Sequence, residues 1–447
     1  MSGSTYPGQS TYLITYQSET DPVALAFAAR SRYRRPPDLD GLRYLELGCG
    51  HGIGLAAHAA CHPGATFHGI DLMPDHVASL RALARSAGLT NLTAEMGDIT
   101  ALADTDPPGG RYDMIVMHGL WSWVGTAVRA ALLRLLDRWA APGALVYVSY
   151  NAKPFWAFVE PLRYVLREAM GPNPEDADAK RARGAVDDWL EIGGTEMIRS
   201  FWERMSDLPD RYLIHEFAAT EADAFWPQDM DRAFAGAGLS PLGQVPLYLN
   251  HDNLSFDDTQ RAIVALGREK GFPDTAADLA QGRSHRTQVY ARGAPVVRGG
   301  TMVREMADWR IAPARQSIEN DDAPEIPGFA EALAQVPMGI TVPEAVEALS
   351  GPGRDGLQGL LLAVILGHWA VVPPEAEQAE KTRSAFNAAA AALAAEGDTL
   401  PCLICHRQNR PVRLSRDEVR HVVLGTDLPE DQRERLGIFD FRIAPAK

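Results

Sequence analysis

The sequence predicts an α/β fold: a doubly wound parallel sheet, then a mostly helical middle region and a small helical C-terminal domain. Three observations predict it. Between residues 42 and 150, short apolar runs alternate with segments of helical period, the pattern of a parallel sheet covered on both faces. A glycine run, GCGHG at 48–52, joins the first apolar run to the helical segment after it. Beyond residue 150 the alternation stops and helical period dominates.

The elements follow in order. DPVALAFAARSR (21–32) reads as a short helix, broken by Arg34-Arg35-Pro36-Pro37, because proline cannot continue a helix. LRYLEL (42–47) is a strand, 53–61 a helix, TFHGID (66–71) a strand, and 74–87 a helix ended by Gly88. NLTAEMGD (91–98) and YDMIVMH (112–118) are the third and fourth strands. Residues 125–140 form a helix with Leu132, Leu133, Leu135 and Leu136 near one face, stopped by Pro142-Gly143, and ALVYVSY (144–150) is the fifth strand.

Residues 156–206 read as helices with loops, including the polar run GPNPEDADAKRARG (171–184). A helix over 221–237 ends at Gly238, a common helix stop. SPLGQVPLYLN (240–250) and RTQVYARG (286–293) are strand candidates that complete the sheet as an antiparallel pair. SIENDDAPEIPG (317–328) is acidic, carries proline and lacks apolar period, so it reads as a linker. Beyond it, 329–335, 341–349 and 356–367 read as short helices, AFNAAAAALAAEG (385–397) is helical in propensity, and 412–425 is a helix capped by Ser415. The division is 1–155, 156–298, a linker at 299–327, and 328–447.

Composition narrows the function. Of 447 residues, 46% are hydrophobic and 23% charged, the balance of a globular protein. The net charge of −15 excludes non-specific binding to nucleic acid or anionic lipid, which needs a basic surface. No run approaches the roughly 18 apolar residues of a membrane span. Only four cysteines occur, Cys49, Cys61, Cys402 and Cys405, so no disulfide scaffold is expected. The first residues show neither the basic start nor the apolar run of a secretory leader. A cytoplasmic location is expected.

LELGCGHGIGL (45–55) carries the strongest chemical signal. Glu46 precedes Gly48, Cys49, Gly50 and Gly52 at a strand-to-helix turn. Glycines let the backbone turn sharply and approach a ligand, and the next helix points its N-terminus at it. Asp71 ends the second strand, followed by Leu72, where a carboxylate accepts hydrogen bonds from both hydroxyls of a ribose. Gly97-Asp98-Ile99 ends the third. There the acid accepts a bond from an adenine amino group while Ile99 packs on the ring; its structural role is that of a turn or helix cap. A dinucleotide dehydrogenase is the rival reading, but its loop is G-x-G-x-x-G, and it leaves Gly97-Asp98 without a role.

Together these residues resemble the class I S-adenosylmethionine-dependent methyltransferases, over residues 40–150, which implies a Rossmann-like sheet and S-adenosyl-L-methionine as cofactor. RYDMIVMHGLWSWV (111–124), LVYVSYNAKPFWAFVEPLR (145–163), RYLIHEF (211–217), AGAGLSPLG (235–243) and SHRTQVYARG (284–293) are similar to the bacterial members that carry a methyltransferase regulatory domain. These include the rickettsial outer-membrane-protein lysine methyltransferases. Phe155 departs from that pattern, standing where a glycine follows the proline. The resemblance implies a catalytic domain over 1–155, a homodimer formed through the regulatory region, and a winged-helix-like C-terminal domain that holds a protein substrate.

The acceptor pocket is then expected at the ends of the fourth and fifth strands: His118, Trp121, Ser122 and Trp123, with Ser149, Tyr150 and Asn151. Aromatic walls suit a sulfonium or an ammonium. His118, which also borders the cofactor, is a candidate base; Tyr150 and Asn151 offer oxygens to an amine. Trp121 and Trp123 divide between pocket and core. Tyr12 and Tyr16 are either a lid or ordinary packing. No metal is expected. His215-Glu216 lacks the second histidine of H-E-x-x-H, and Cys402-Leu-Ile-Cys405-His406 lacks a second C-x-x-C and reads as buried thiols. Methyl transfer to protein lysine is the first expectation. A small-molecule amine, thiol or hydroxyl is the second acceptor, and a cofactor-binding regulatory protein without turnover is the third reading.

Overall fold

The computed structural model describes residues 16–172, 174–314, 326–374, 379–396, 402–437 and 439–443. Helix α1 (Pro22–Ser31) starts where Asp21 accepts the Val23 and Ala24 N–H groups and Pro22 pre-sets the first turn. Then β1 (Arg43–Leu47), α2 (Ile53–Cys61), β2 (Thr66–Asp71), α3 (Pro74–Ser86), β3 (Leu92–Met96), α4 (Ile99–Leu102), β4 (Tyr112–Met117), α5 (Thr126–Trp139) and β5 (Ala140–Asn151) alternate as the pattern requires.

The middle region holds α6 (Lys153–Met170), α7 (Asp176–Ile192), α8 (Glu196–Met205), α9 (Asp210–Phe217) and α10 (Pro227–Gly236). It continues through β6 (Ser240–Gln244), α11 (Asp252–Ser255), α12 (Asp258–Lys270), α13 (Pro273–Gln281) and β7 (His285–Ala291). The polar run is loop only as far as residue 175. Glu175 and Asp178 form a reciprocal cap, and Ala179, Ala182, Val186 and Leu190 recur at helical spacing and are buried. The expected helix over 221–237 begins only at Pro227, because 223–225 is tied to the neighbouring chain instead: the Asp223 N–H donates to Ser122 O and the Phe225 N–H to Asn151 O, both at 2.9 Å.

The sheet order is β3-β2-β1-β4-β5-β7-β6. β1 to β5 pair in parallel, whereas β7 is antiparallel to both β5 and β6. The order reverses between β1 and β4, the switch point where open α/β sheets bind ligands outside the strands' carboxyl ends. One face of the sheet buries Tyr44, Phe67, Met114, Tyr147 and Val289; the other buries Leu45, Ile115, Val148, Tyr150 and Tyr290 with Leu132 and Leu136 of α5 and Phe234 of α10. Helices α6 to α9 have a core of their own, with Trp156, Leu166, Val186, Phe201 and Phe217. Phe155 joins it, its ring 5.1 Å from Phe201.

The C-terminal part comprises α14 (Gly299–Glu305), β8 (Arg310–Pro313), α15 (Phe329–Ala334), α16 (Val342–Leu349), α17 (Gly356–Ile365) and β9 (Trp369–Val372). After these come α18 (Ala379–Glu396), β10 (Cys402–Cys405), β11 (Arg410–Arg413), α19 (Arg416–Leu424) and α20 (Glu430–Leu436). α15, α16, α17 and α19 fall close to where expected, and Ser415 caps α19, whereas α14 and β8 occupy the start of the expected linker 299–327 and α20 was not foreseen. It also holds two small antiparallel pairs, β8–β9 and β10–β11, that the sequence pattern did not reveal. α18 and the β10–β11 pair pack on α2, and their buried side chains continue the first core. Most of the linker candidate 317–328 and Tyr12 lie outside the described residues. Tyr16 is buried in that core, edge-on to His58.

Candidate cofactor and acceptor site

The glycine turn is built from left-handed backbone. Gly48, Gly50 and Gly52 have φ of +70°, +54° and +67°, which other residues adopt only at a cost of about 1–2 kcal/mol each. The Gly48 N–H donates to Ile70 O and the Gly50 N–H to Asp71 Oδ2, each at 2.8 Å, so the turn is pinned to the end of β2. The three glycines differ in surroundings. A Cβ on Gly52 would lie 2.5 Å from Leu80 Cδ1, whereas one on Gly50 would meet nothing within 4 Å. Gly52 is therefore required by packing, while Gly50 faces open space. At Gly97 a Cβ would come within 2.8 Å of Leu102 and 2.9 Å of Ile70. Cys49 is buried under the turn, and burial pushes its thiol up, out of reach of ionisation.

Asp71 is the best-held acid. Its Oδ1 accepts the Met73 N–H at 2.9 Å and faces His76 Nδ1 at 3.1 Å. Burial alone would raise its carboxyl, but the bonds from His76, Met73 and Gly50 outweigh it and hold the group below the usual carboxylate range. The His51 ring stands 4.6 Å from that of His76. Both His51 nitrogens are buried and have no hydrogen-bond partner among the described residues. Glu46, at the end of β1, is pushed up to about 8 by burial, with the charge of Asp71 adding to the effect. Asp98 is exposed and caps α4, its Oδ1 accepting the Thr100 N–H and hydroxyl at 2.8 and 2.7 Å. Beside it Ile99 is half-buried, and Leu72, 50% exposed, has no role in the core.

A second group gathers at the ends of β4 and β5. His118 Nδ1 lies 3.0 Å from the Tyr147 hydroxyl, and the two rings stack. The His285 ring stands 6.2 Å from His118. Burial, helped by His285, holds the His118 imidazole down to about 3. The loop after β4 is fastened to β5: the Gly119 N–H donates to Ser149 Oγ and the Asn151 N–H to Ser122 Oγ, each at 2.8 Å. The Asn151 side chain, half-buried at the strand's tip, forms no hydrogen bond among the described residues.

Two expected pocket residues are not brought there. Side chains alternate across a strand, so Tyr150 points to the opposite face from Tyr147, into the second core. It lies beside Phe225 and across from Arg286. Trp121 belongs to the same core, 5.2 Å from Phe234 and 3% exposed. Of the expected residues, His118 and Asn151 stand at this edge, whereas Trp121 and Tyr150 lie in the second core. The structure also brings His51 and His76 beside Asp71, and Tyr147 and His285 beside His118, none of which the sequence reading named. His76 had a visible signal, five residues beyond Asp71 on the next helix; His285 arrives only through the antiparallel strand.

On α9 His215 is buried and Glu216 half-buried, and neither joins a metal-ligating cluster among the described residues; desolvation pushes Glu216 up to about 7, against the pull of Arg163. Cys402 and Cys405 are buried, unbridged thiols on β10. Among the described residues no cluster of three or more His, Cys, Asp or Glu side chains is arranged to hold a metal ion. No helix of the described residues is long and apolar enough to cross a membrane.

Comparison with known proteins places the chain. A family described as a methyltransferase domain matches residues 45–146, and a "Predicted methyltransferase regulatory domain" matches 209–292. An uncharacterized protein of Synechocystis is 25% identical over 297 residues, covering 64% of this chain and 58% of that protein. An uncharacterized protein of Rickettsia prowazekii is 29% identical over 214 residues, covering 46% of this chain and 38% of its own length. The chain thus spans about half the length of these curated relatives. Among solved structures, PKMT2 from Rickettsia typhi superimposes with a TM-score of 0.68 at 18% identity, over 95% of this chain and 91% of that one. The same protein in complex with AdoHcy gives 0.67. The strand order, the acidic glycine turn and the two matched regions agree with one another: the chain carries a methyltransferase domain over 45–146 and a stretch similar to the predicted methyltransferase regulatory domain over 209–292, on the fold of PKMT2, and the combination indicates S-adenosylmethionine as cofactor.

Proposed function

We propose that the chain moves the methyl group of S-adenosylmethionine onto the side-chain nitrogen of a protein lysine. The observation that carries this reading is the fold shared with PKMT2 along 95% of the chain, the C-terminal part included, together with the resemblance to lysine methyltransferases of that group. A long, mostly helical remainder suits a macromolecular acceptor, since a small molecule needs only a lid.

The cofactor fits the residues at the switch point. Gly50 leaves open space above the turn. Asp71 supplies a carboxylate for ribose hydroxyls, and Leu72, Asp98 and Ile99 offer an adenine site at the neighbouring strand ends. Glu46 is an acid held uncharged for want of a cation, and His51 has two unsatisfied nitrogens. When bound, S-adenosylmethionine supplies a methyl group on a sulfonium, so the chain's own task is to align a nucleophile and exclude water.

The lysine must arrive as a neutral amine. With an ordinary value of about 10.4, that form costs roughly 4–5 kcal/mol at pH 7. Burial and the neighbouring His285 hold the His118 imidazole well below its ordinary value, which favours its neutral form near pH 7. It acts as a fixed hydrogen-bond acceptor: in the tautomer whose Nδ1–H donates to Tyr147, Nε2 keeps its lone pair. Asn151 offers a second oxygen. The proton leaves to water. Labelled S-adenosylmethionine with lysine-bearing protein should therefore give label on lysine, at a rate rising with pH from 6 to 9 without a histidine limb near 6.5. Label in metabolites alone would select the small-molecule reading.

Glu46 adds a pH prediction. Its carboxyl titrates near 4.5 when free and near 8 in the fold. Below the lower value both states hold the proton. Between the two the folded chain keeps a proton that the unfolded chain releases, so stability falls as pH rises and the benefit is gone above about 8. Glu46→Gln should flatten this slope and raise Tm at pH 9 by at least about 2 °C, read from thermal melts between pH 5 and 9. Parallel curves for the two proteins would refute the assignment.

A further inference from the structure

A cavity of about 450 Å³ adjoins the acceptor edge, a size that takes a side chain or a small ligand. Its walls come from Tyr248, Leu249, Leu254 and Ser255 and from the run 281–285. All of them lie within the regulatory stretch 209–292 and none in the glycine turn. One wall residue reaches the transfer site. His285 lines the cavity, and its ring is 6.2 Å from that of His118. It opens β7 and pairs across the sheet with Asn151, the last residue of β5. The adjoining wall residue, Ser284, accepts the Ala152 N–H and the Trp156 indole N–H, both at 2.9 Å. Cavity wall and acceptor edge are thus one tied unit.

The chemistry of the walls is selective. They carry no carboxylate, and their charged residue is Arg283. Its guanidinium is braced by Gln244 Oε1 at 2.9 Å and Asp278 at 3.3 Å, and Asp278 is shared with Arg286 at 2.6 Å. Ser255 and Gln281 are also committed, to Tyr248 O at 2.7 Å and Ser255 O at 3.0 Å. An ammonium entering here finds no ion-pair partner and meets a like charge, both of which favour its neutral amine. Neutral amine is the form that accepts a methyl group.

We infer that this cavity is the port by which the acceptor lysine reaches the site, and that His285 positions its nitrogen beside His118. The inference rests on the lysine reading above. The test uses the full chain, labelled S-adenosylmethionine and poly-L-lysine, with cofactor affinity measured separately by calorimetry. Ser255→Trp and Leu254→Trp fill the cavity from its wall. Each should leave cofactor affinity within about twofold and raise KM for poly-L-lysine about tenfold or more, with a smaller effect on kcat. His285→Leu should lower kcat/KM about tenfold, and His285→Gln, which keeps a hydrogen-bonding group, should recover most of it. Filled variants that bind cofactor normally and turn over with wild-type kcat and KM overturn the port alone. A wild-type chain that binds cofactor but labels no lysine overturns the lysine reading, and the port with it.

Discussion

Asp71→Ala is expected to abolish measurable cofactor binding while leaving the fold intact. Asp71 performs two tasks at once. It pins the glycine turn through the Gly50 N–H and orders the start of α3 through Met73 and His76. It is also the acid proposed to receive ribose hydroxyls. Hydrogen bonds to a charged group contribute about 1.5–3 kcal/mol each, so losing two such bonds weakens affinity by roughly 100-fold or more. Asp71→Asn keeps the size but loses the charge, and should fall between the two. Titration of S-adenosylhomocysteine into each variant reads the effect, with circular dichroism as the check on folding. Wild-type affinity in Asp71→Ala would remove the carboxylate from the cofactor site.

The glycine turn gives the second large effect, and here two neighbouring substitutions should part company. Gly52→Ala sets a methyl 2.5–2.9 Å from three atoms of Leu80, a side chain with no exposed surface. The left-handed backbone costs about 1–2 kcal/mol, and overpacking costs about 1–3 kcal/mol more. The result is chiefly a loss of stability, several degrees in Tm. Gly50→Ala bears only the backbone cost, because its methyl meets nothing within 4 Å. That methyl stands in the space assigned to the cofactor, so the expected loss is in affinity, about tenfold or more. Melting curves and calorimetry on both variants separate the effects. Equal losses of stability and affinity in the two would show that the turn is structural only.

Much of this was legible in the sequence, and the failures have physical causes. β2 spans Thr66–Asp71 as read, because a strand buried on both faces is a continuous apolar run bounded by turn residues. The start of α7 was hidden because its apolar side is made of alanines, which carry little hydrophobic signal until a reciprocal cap fixes the frame. β10 was hidden because four residues, Cys402–Cys405, are too few to show a period.

The site divides along similar lines. The placing of Asp71, Gly50 and Glu46 at one strand-end turn was legible because acids at strand ends and a glycine turn are local features. Tyr150 lies in the second core rather than at the edge, because proximity in sequence to Asn151 says nothing about which face a strand side chain takes. Of the two tryptophans divided between pocket and core, Trp121 takes the core, because a 3-10 turn at Trp121–Trp123 directs its ring there. His285 was missed because only the pairing of β7 with β5 brings it to Asn151, and long-range register is not written in either segment alone. The regulatory stretch therefore does more than follow the catalytic sheet in sequence: it supplies the two strands that close it.

The most direct test is a side-by-side calorimetric titration of the intact chain with S-adenosylhomocysteine and with NADH. A pinned glycine turn and strand-end acids that cradle an adenosyl sulfonium predict saturable binding of the first, one molecule per chain, and no heat from the second. Binding of NADH, or of neither compound, would contradict the cradle assigned to Gly50, Asp71 and Asp98.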